Sequence, residues 1–412
     1  MDRVTEEQSF AEMSPAARTI VAFDKNGAID VAEPQPLFAD ILERYPRPVR
    51  WEQGVAFFRF ADVLEATRNP AIISNDPVTG KPMGMGSEEP LIPLNIDGAE
   101  HRQFRRLLDP LFAPRAVAYL EPSIRQLANS LIDGFIEDGR VEFHDRFALP
   151  LPGSIFLSMF GLPLEDLDFL EGCKDGCIKT GASDMFEAHR LAIIAGNRLR
   201  EYLNAELDRR DRLSAPGDDL LSRLMTFELD GQRLTRDQLL NVLHLFMIAG
   251  LDTVTASLSC IVGWLARHPA EQQLLMAETA RLPAAIEELM RTENPVLSGG
   301  MRYAAADTEV AGVPVRKGDK IDVCWTTANL DPDQFPDPLT VNLDRPANRH
   351  IAFASGIHRC LGSHLARLEL RTAVGVLHER LRSYAIVPGE EPVYNHEGVR
   401  AATYLPLEFE RR

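Results

Sequence analysis

Ten residues, Phe353-Ala354-Ser355-Gly356-Ile357-His358-Arg359-Cys360-Leu361-Gly362, carry the sharpest chemical signal in the chain. They read as a loop feeding a helix. Gly356 can supply the positive φ of a tight turn, and Leu361, Leu365 and Leu368 recur at helical spacing, so a helix is predicted to start near the cysteine. A cysteine at a helix N-terminus meets unpaired N–H groups and the positive end of the macrodipole, which favour the thiolate. His358 and Arg359 add cationic or donor groups, and Gly362 has no Cβ to hold a flat ligand off the backbone. A thiolate among small residues suits the axial ligation of haem iron. The competing reading is a small buried hydrophobe, the usual role of a single cysteine.

Two further clusters could do chemistry. Ala249-Gly250-Leu251-Asp252-Thr253 lies midway along an apolar helical stretch. Glycine there costs about 1 kcal/mol relative to alanine, and a buried aspartate costs more unless partnered. The run therefore predicts a local opening of the helix that admits a ligand or water; an exposed polar patch is the alternative. Glu288-Leu289-Met290-Arg291 places acid and base on one helix face, an arrangement that on a surface contributes little.

Phe-x-x-Gly-x-His-x-Cys-x-Gly at 353–362 resembles the haem-binding signature of the cytochrome P-450 (haem-thiolate monooxygenase) superfamily, and the chain resembles its soluble bacterial type. The resemblance implies a mainly α, single large domain over residues 1–412, with a long central helix, small β-sheets and residues 1–35 a partly flexible tail. It makes Cys360 the axial ligand of haem b (iron protoporphyrin IX), with Phe353 and Gly362 in the same loop and Ala249 and Gly250 against the cofactor. Asp252 and Thr253 take the proton-relay positions. Glu288 and Arg291 become a structural pair, joined by Arg345 from Asp344-Arg345-Pro346. Haem propionates need charge-assisted donors, and His101, Arg105, Arg302 and His358 match the family's positions for them. The implied reaction is hydroxylation of a hydrophobic small molecule by dioxygen. Its two electrons come ultimately from NAD(P)H through a ferredoxin and ferredoxin reductase, since no flavin or iron–sulfur motif occurs here. Arg105, Arg106, Arg359 and Arg367 would make a basic docking patch for that ferredoxin. A peroxide-driven peroxygenase is a rival that the Asp252-Thr253 pair opposes. A haem-thiolate gas sensor or electron carrier is another, and a sensor would ordinarily need an output module.

Composition sets the outer bounds. The 412 residues are 45% hydrophobic and 25% charged, enough for a large core. A net charge of −17 argues against nucleic-acid binding. No uninterrupted apolar run reaches membrane length, and Met1-Asp2-Arg3-Val4-Thr5-Glu6-Glu7 has no signal-peptide core; a cytoplasmic monomer without a membrane anchor is expected. Five scattered cysteines with no C-x-x-C pair fit a reducing compartment, and Cys173 and Cys177 read as packing residues.

The elements that must position these groups are mostly helical. A hairpin is predicted from Val49-Arg50-Trp51 and Val55–Phe60, then a helix at 61–69 stopping before Pro70. A Pro/Gly-rich loop spans 76–93. Helices follow near 97–106, 115–137, 154–160, 165–180, 185–212 and 218–227. Thr235-Arg236-Asp237-Gln238 is a capping box opening a helix that runs to His268, before Pro269. A helix at 284–292, short strands from 300 to 325, a helix at 361–382 and a strand pair near 383–388 and 404–409 complete the plan. Family position puts Leu245, Ile248, Ala249, Ser298, Gly299 and Val399 in the substrate pocket. Their apolar or small character suits a terpenoid, steroid, fatty acid or aromatic.

Overall fold

The computed structural model describes residues 32–74, 84–180, 185–213, 217–297, 302–395 and 399–412. Most of the expected tail, part of the 76–93 loop, and Ser298 and Gly299 lie outside the described residues. The longer helices are α1 (Gln35–Arg44), α2 (Phe60–Arg68), α3 (Gly98–Leu108), α4 (Glu121–Asp133), α5 (Pro150–Phe160), α6 (Leu167–Ile178), α7 (Met185–Asp211), α8 (Arg236–Arg267), α9 (Pro269–Ala277), α10 (Leu282–Thr292) and α11 (Ser363–Arg380). The strands are β1 (Val49–Trp51), β2 (Gly54–Phe57), β3 (Ile72–Ile73), β4 (Arg140–Glu142), β5 (Glu228–Leu229), β6 (Gln232–Arg233), β7 (Arg302–Ala304), β8 (Thr308–Val310), β9 (Val313–Val315), β10 (Lys320–Val323), β11 (Leu381–Ile386), β12 (Val393–Asn395), β13 (Ala401–Tyr404) and β14 (Pro406–Arg411). They gather into two compact units, each built from two stretches of chain: residues 1–80 with 283–360, and 81–282 with 361–412.

The first unit is organised on a five-stranded sheet ordered β1-β2-β10-β7-β3, in which only β2 and β10 run parallel. Strand β2 shows why it sits inside. Val55 and Phe57 enter one apolar cluster with Val63, Ile321 and Phe335. Ala56 and Phe58 point the other way, into a cluster with Phe38, Ile41 and Trp51. Both faces are covered, so the strand is apolar throughout instead of alternating. The predicted second hairpin strand is shorter than expected, because Phe60 already belongs to α2. That helix starts where Asp331 accepts the Phe60 N–H at 2.8 Å.

The second unit is helical apart from the small sheet β11-β14-β4 and the hairpins β5-β6 and β12-β13. Its strut is α8, 32 residues long. The expected capping box is present: Thr235 Oγ1 accepts from Gln238 N, and Gln238 Oε1 accepts from Thr235 N. The helix stops at His268, ahead of Pro269. Its apolar character and length would suit a membrane span, but 83% of its most apolar window is buried inside the protein, as for a core helix. The predicted 115–137 helix is instead a short turn of helix at Pro114–Val117, a 3₁₀ turn and α4, with Pro122 placed in the first turn, where its missing N–H does no harm. A strand at 140–142, an irregular helical turn at 144–148 and the hairpin β5-β6 have no counterpart in the sequence reading.

Candidate active site

In the first unit, the Cys360 loop is folded by its own backbone. Ala354 and Gly356 take φ of 59° and 73°, in the left-handed region. Cys360 N donates to Phe353 O at 2.9 Å, Ala354 N to Ile351 O at 2.9 Å and Arg359 N to Gly356 O at 3.2 Å. A Cβ on Gly356 would come within 2.1 Å of Thr67 O, so only glycine lets the loop lie on α2. Cys360 is exposed, whereas Cys173, Cys177, Cys260 and Cys324 are buried. The helix begins later than predicted: Gly362 is the N-cap residue of α11, so Cys360 precedes the helix and does not open it. Phe353 and His358 are half-buried, and Arg302 is half-buried at the start of β7. Beside the loop runs a groove of about 680 Å³ lined by Arg68, Arg349 and Arg359 together with Phe60, Leu64 and Ile351.

Glu288, Arg291 and Arg345 form a buried network in the same unit. Arg291 grips Glu288 with Nε at 2.9 Å and Nη2 at 2.8 Å, a bidentate fork. Arg345 Nε donates to Glu288 Oε1 at 2.9 Å, and Asn342 N and Asn348 Nδ2 add two more donors at 2.9 Å each. The arginines use their remaining donors on carbonyls: Arg291 Nη1 on Asn329 and Pro338, Arg345 Nη1 on Pro336. Burial pushes the Glu288 carboxyl up, but the Arg291 and Arg345 donors and the Asn342 N–H outweigh it and hold it below the usual range. The pair is not the weak surface contact that spacing alone would allow.

In the second unit, α8 is buried along nearly all its length, yet Ala249 is exposed and Gly250 and Thr253 are half-buried. Thr253 Oγ1 donates to Ala249 O at 3.0 Å and Ser257 Oγ to Thr253 O at 2.7 Å. The helix runs unbroken through this point, which corrects the expected opening of its turn. Gly250 has a packing reason: a Cβ there would come within 2.3 Å of the Phe156 ring on α5. Leu245 and Ile248 are buried on the same helix, and Val399 is half-buried. On α3, His101 is buried, and one turn later Arg105 Nε pairs with Asp109 at 2.7 Å. Arg106 is exposed and Arg367 half-buried.

Asp252 is 4% exposed and is not alone. Lys174 Nζ reaches its Oδ1 at 2.9 Å and Lys179 Nζ reaches the same atom at 3.0 Å, both from α6 and its end. Lys174 also pairs with Glu171 at 2.7 Å and Asp175 at 3.0 Å, and Lys179 with Asp175 at 3.1 Å. Burial opposes the charge on Lys174, but Asp252, Glu171 and Asp175 together raise its pKa above that of an ordinary lysine. The cluster runs outward, since the Asp175 side chain is 49% exposed. Asp252 Oδ2 is buried with no hydrogen-bond partner among the described residues. Sequence reasoning missed both lysines. The signal was available for Lys174: helical spacing puts it on the face of α6 that buries Leu167, Leu170, Cys173 and Cys177, where a cation requires an acid.

A family model described as Cytochrome P450 matches residues 185–397. Pentalenic acid synthase of Streptomyces avermitilis is 35% identical over 76% of this chain and 77% of its own length. Vitamin D(3) 25-hydroxylase of Pseudonocardia autotrophica is 30% identical over 91% of this chain and 93% of its own. Among solved structures, the LnmA cytochrome P450 hydroxylase from the leinamycin biosynthetic pathway of Streptomyces atroolivaceus superposes with a TM-score of 0.80. It is 31% identical and covers 92% of this chain and 97% of that one.

Proposed function

The chain belongs to the cytochrome P450 family, and on that footing we propose that it hydroxylates a hydrophobic small molecule of terpenoid, steroid, fatty acid or aromatic type. It is a monooxygenase that uses haem b, with electrons derived from NAD(P)H through redox partners. Haem, when bound, supplies the activation of dioxygen on a thiolate-held iron.

The residues present fit that cofactor. The observation that carries the reading is Cys360, exposed on a loop closed by its own N–H, where the other four cysteines are buried. A Cβ on Gly362 would meet nothing within 4 Å, so a flat group has room at that backbone. His101, Arg105, Arg302 and His358 are the positions we propose for the propionates. Ala249 and Gly250 offer a small-residue patch on an otherwise buried helix. Glu288, Arg291 and Arg345 would be the structural network that holds the first unit rigid, and 1–412 is read as one catalytic domain.

Protons reach the site through α8. The Thr253 hydroxyl gives its hydrogen to the Ala249 carbonyl, so its lone pairs remain to accept from a water. Asp252 Oδ2 is an open buried acceptor close by in sequence, and Lys174, Lys179 and Asp175 connect that carboxylate to the surface. Asp252 would draw protons inward, and Thr253 would hold the water that delivers them.

Leu245, Ile248, Ala249, Ser298, Gly299 and Val399 would line the substrate pocket. The pentalenic acid and vitamin D(3) enzymes among the relatives support bulky apolar substrates. A ferredoxin, reduced by its reductase, would be the donor, docking on Arg105, Arg106, Arg359 and Arg367; the groove of Arg68 and Arg349 adds to this basic character. A cytoplasmic monomer without nucleic-acid partners fits the acidic composition. Titrating the holoprotein with one member of each substrate class and reading the haem spectrum tests the substrate; a panel with no spectral response or product overturns it. Cys360→Ser is expected to abolish the red-shifted Soret band of the ferrous carbon monoxide complex, and persistence of that band in folded variant would assign the ligand elsewhere.

A further inference from the structure

One polar contact on α8 belongs to none of the groups above. His244, 2% exposed, donates from Nε2 to the carbonyl of Met85 at 2.8 Å, across 159 residues. Met85 sits in a run of three left-handed residues: φ is 81° at Gly84, 57° at Met85 and 70° at Gly86. The flanking glycines adopt this freely, whereas methionine does not. A side-chain-bearing residue stays in such a conformation only where its surroundings over-determine it. Here those surroundings include the buried imidazole.

Next to it the backbone is seated with almost no clearance. A Cβ on Gly86 would come within 2.6 Å of Cys177 Sγ on α6 and 2.7 Å of Ala192 O on α7. A Cβ on Gly196 of α7 would come within 1.8 Å of Gly86 O. The segment that follows is a small body of its own. Asn95 N donates to Leu91 O at 2.7 Å, Asn95 Oδ1 accepts from Leu91 N at 3.2 Å, and Leu91, Ile92 and Ile96 are buried. So Gly84–Ile96 is a strap whose early residues, Met85 and Gly86, are seated against three helices, α6, α7 and α8.

We propose that the His244–Met85 hydrogen bond and the Gly86–Gly196 contact are a latch that holds this strap closed beside the pocket-facing residues of α8, so that His244 is a positioning residue setting how fast ligands enter and leave. The inference rests on the reading of Leu245, Ile248 and Ala249 as pocket wall. His244 precedes Leu245 directly, so strap and wall share one turn of helix. The seated strap combines an unfavourable φ at Met85 with contacts that all release together, which is the composition of a two-state element. Opening would free the carbonyl, relax the residue and vacate the Gly196 seat in one step.

The test uses the haem-loaded protein, with 4-phenylimidazole as the probe and stopped-flow absorbance of the Soret band as the readout. His244→Leu removes the donor at similar volume. Association and dissociation rates are both expected to rise by about five- to tenfold, the factor carried by one buried hydrogen bond, with Kd nearly unchanged. His244→Gln keeps an N–H donor and is expected to restore slow exchange. Gly196→Ala blocks the seat while favouring the helix it lies in, so it speeds exchange without threatening α7. Rates unchanged in both His244→Leu and Gly196→Ala, whatever happens to thermal stability, would make these contacts static packing and overturn the latch. Ile248→Trp reads the wall separately: weaker binding without faster exchange supports the wall, and unaltered affinity removes the wall while the latch stands or falls on the other variants.

Discussion

The roles proposed for Asp252 and Thr253 separate under mutation because their surroundings differ. Thr253 is half-buried and, among the described residues, its hydroxyl bonds within its own helix, so Thr253→Ala removes the hydroxyl proposed to hold a water and little else. Substrate binding and NAD(P)H consumption are expected to persist while output shifts from alcohol to hydrogen peroxide. Asp252→Asn instead removes the charge that two lysines share. Turnover is expected to fall by roughly a hundredfold, the ordinary worth of a positioned acid or base, with product per NAD(P)H retained. Product and peroxide assayed against NAD(P)H distinguish the two, and full coupling in Thr253→Ala would end its assignment. A second carboxyl behaves differently again. Glu369 on α11 is buried, and burial alone pushes its pKa up to about 8. It is therefore protonated in the folded protein near neutrality. A raised acid pKa leaves stability intact below the unfolded value near 4.5 and drains it as pH rises toward 8, by about 1.4 kcal/mol per pH unit. Glu369→Gln is expected to match the parent in thermal unfolding at pH 4.5 and to exceed it increasingly up to pH 8. Equal melting at both pH values would show that the carboxyl finds a counter-charge.

At the scale of elements, the crossing of α8 over α5 is set by one glycine. Gly250→Ala gains about 1 kcal/mol of helix propensity, but the new methyl would lie 2.3 Å from the Phe156 ring. Overpacking of that kind costs about 1–3 kcal/mol, so the variant is expected to melt lower than the parent. In a Phe156→Leu background the same substitution is expected to be neutral or stabilising; a loss of equal size in both backgrounds would place the cause elsewhere. This second reason for Gly250 could not be read from the sequence, because Phe156 is ninety-odd positions away. The same limit runs through the site. The Cys360 loop was legible because its residues are contiguous and its turn needs glycine at 356. Helix α8 was legible because Thr235 and Gln238 close a box over three residues and Pro269 stops it. Arg345 was placed by family pattern, and the structure delivers it to Glu288. Lys174 announced only its burial, by its place on the apolar face of α6, and Lys179 announced nothing; their partner Asp252 lies 78 and 73 residues off, so the pairing was not legible. The 3₁₀ turn at 118–120 and the irregular turn at 144–148 also escaped, as hydrophobic period does not register tightening or loosening of a single turn.

For the molecule as a whole, a net charge of −17 makes the arginines of the Cys360 loop and its groove count for more with an acidic partner than their number suggests. Approach of the proposed ferredoxin would be resisted by the bulk of the protein and favoured where cations collect. Arg359→Glu is therefore expected to raise KM for ferredoxin several-fold at low salt and to leave substrate affinity alone. The difference should vanish as ionic strength approaches ~1 M, where screening acts within ~3 Å. A salt-independent defect would point to damage in the Cys loop. The construction of the first unit from residues 1–80 and 283–360 has a consequence for how the protein is made. Strands β2 and β3 leave the ribosome before their partners β10 and β7, which follow only about 230 to 260 residues later. At ~5–20 residues per second that is a wait of ~10–50 s. Throughout it Val55, Phe57 and Ile72 belong to strands with open edges. The nascent chain thus carries β2 and β3 well before the strands that pair with their open edges, and those edges are what must be shielded during synthesis.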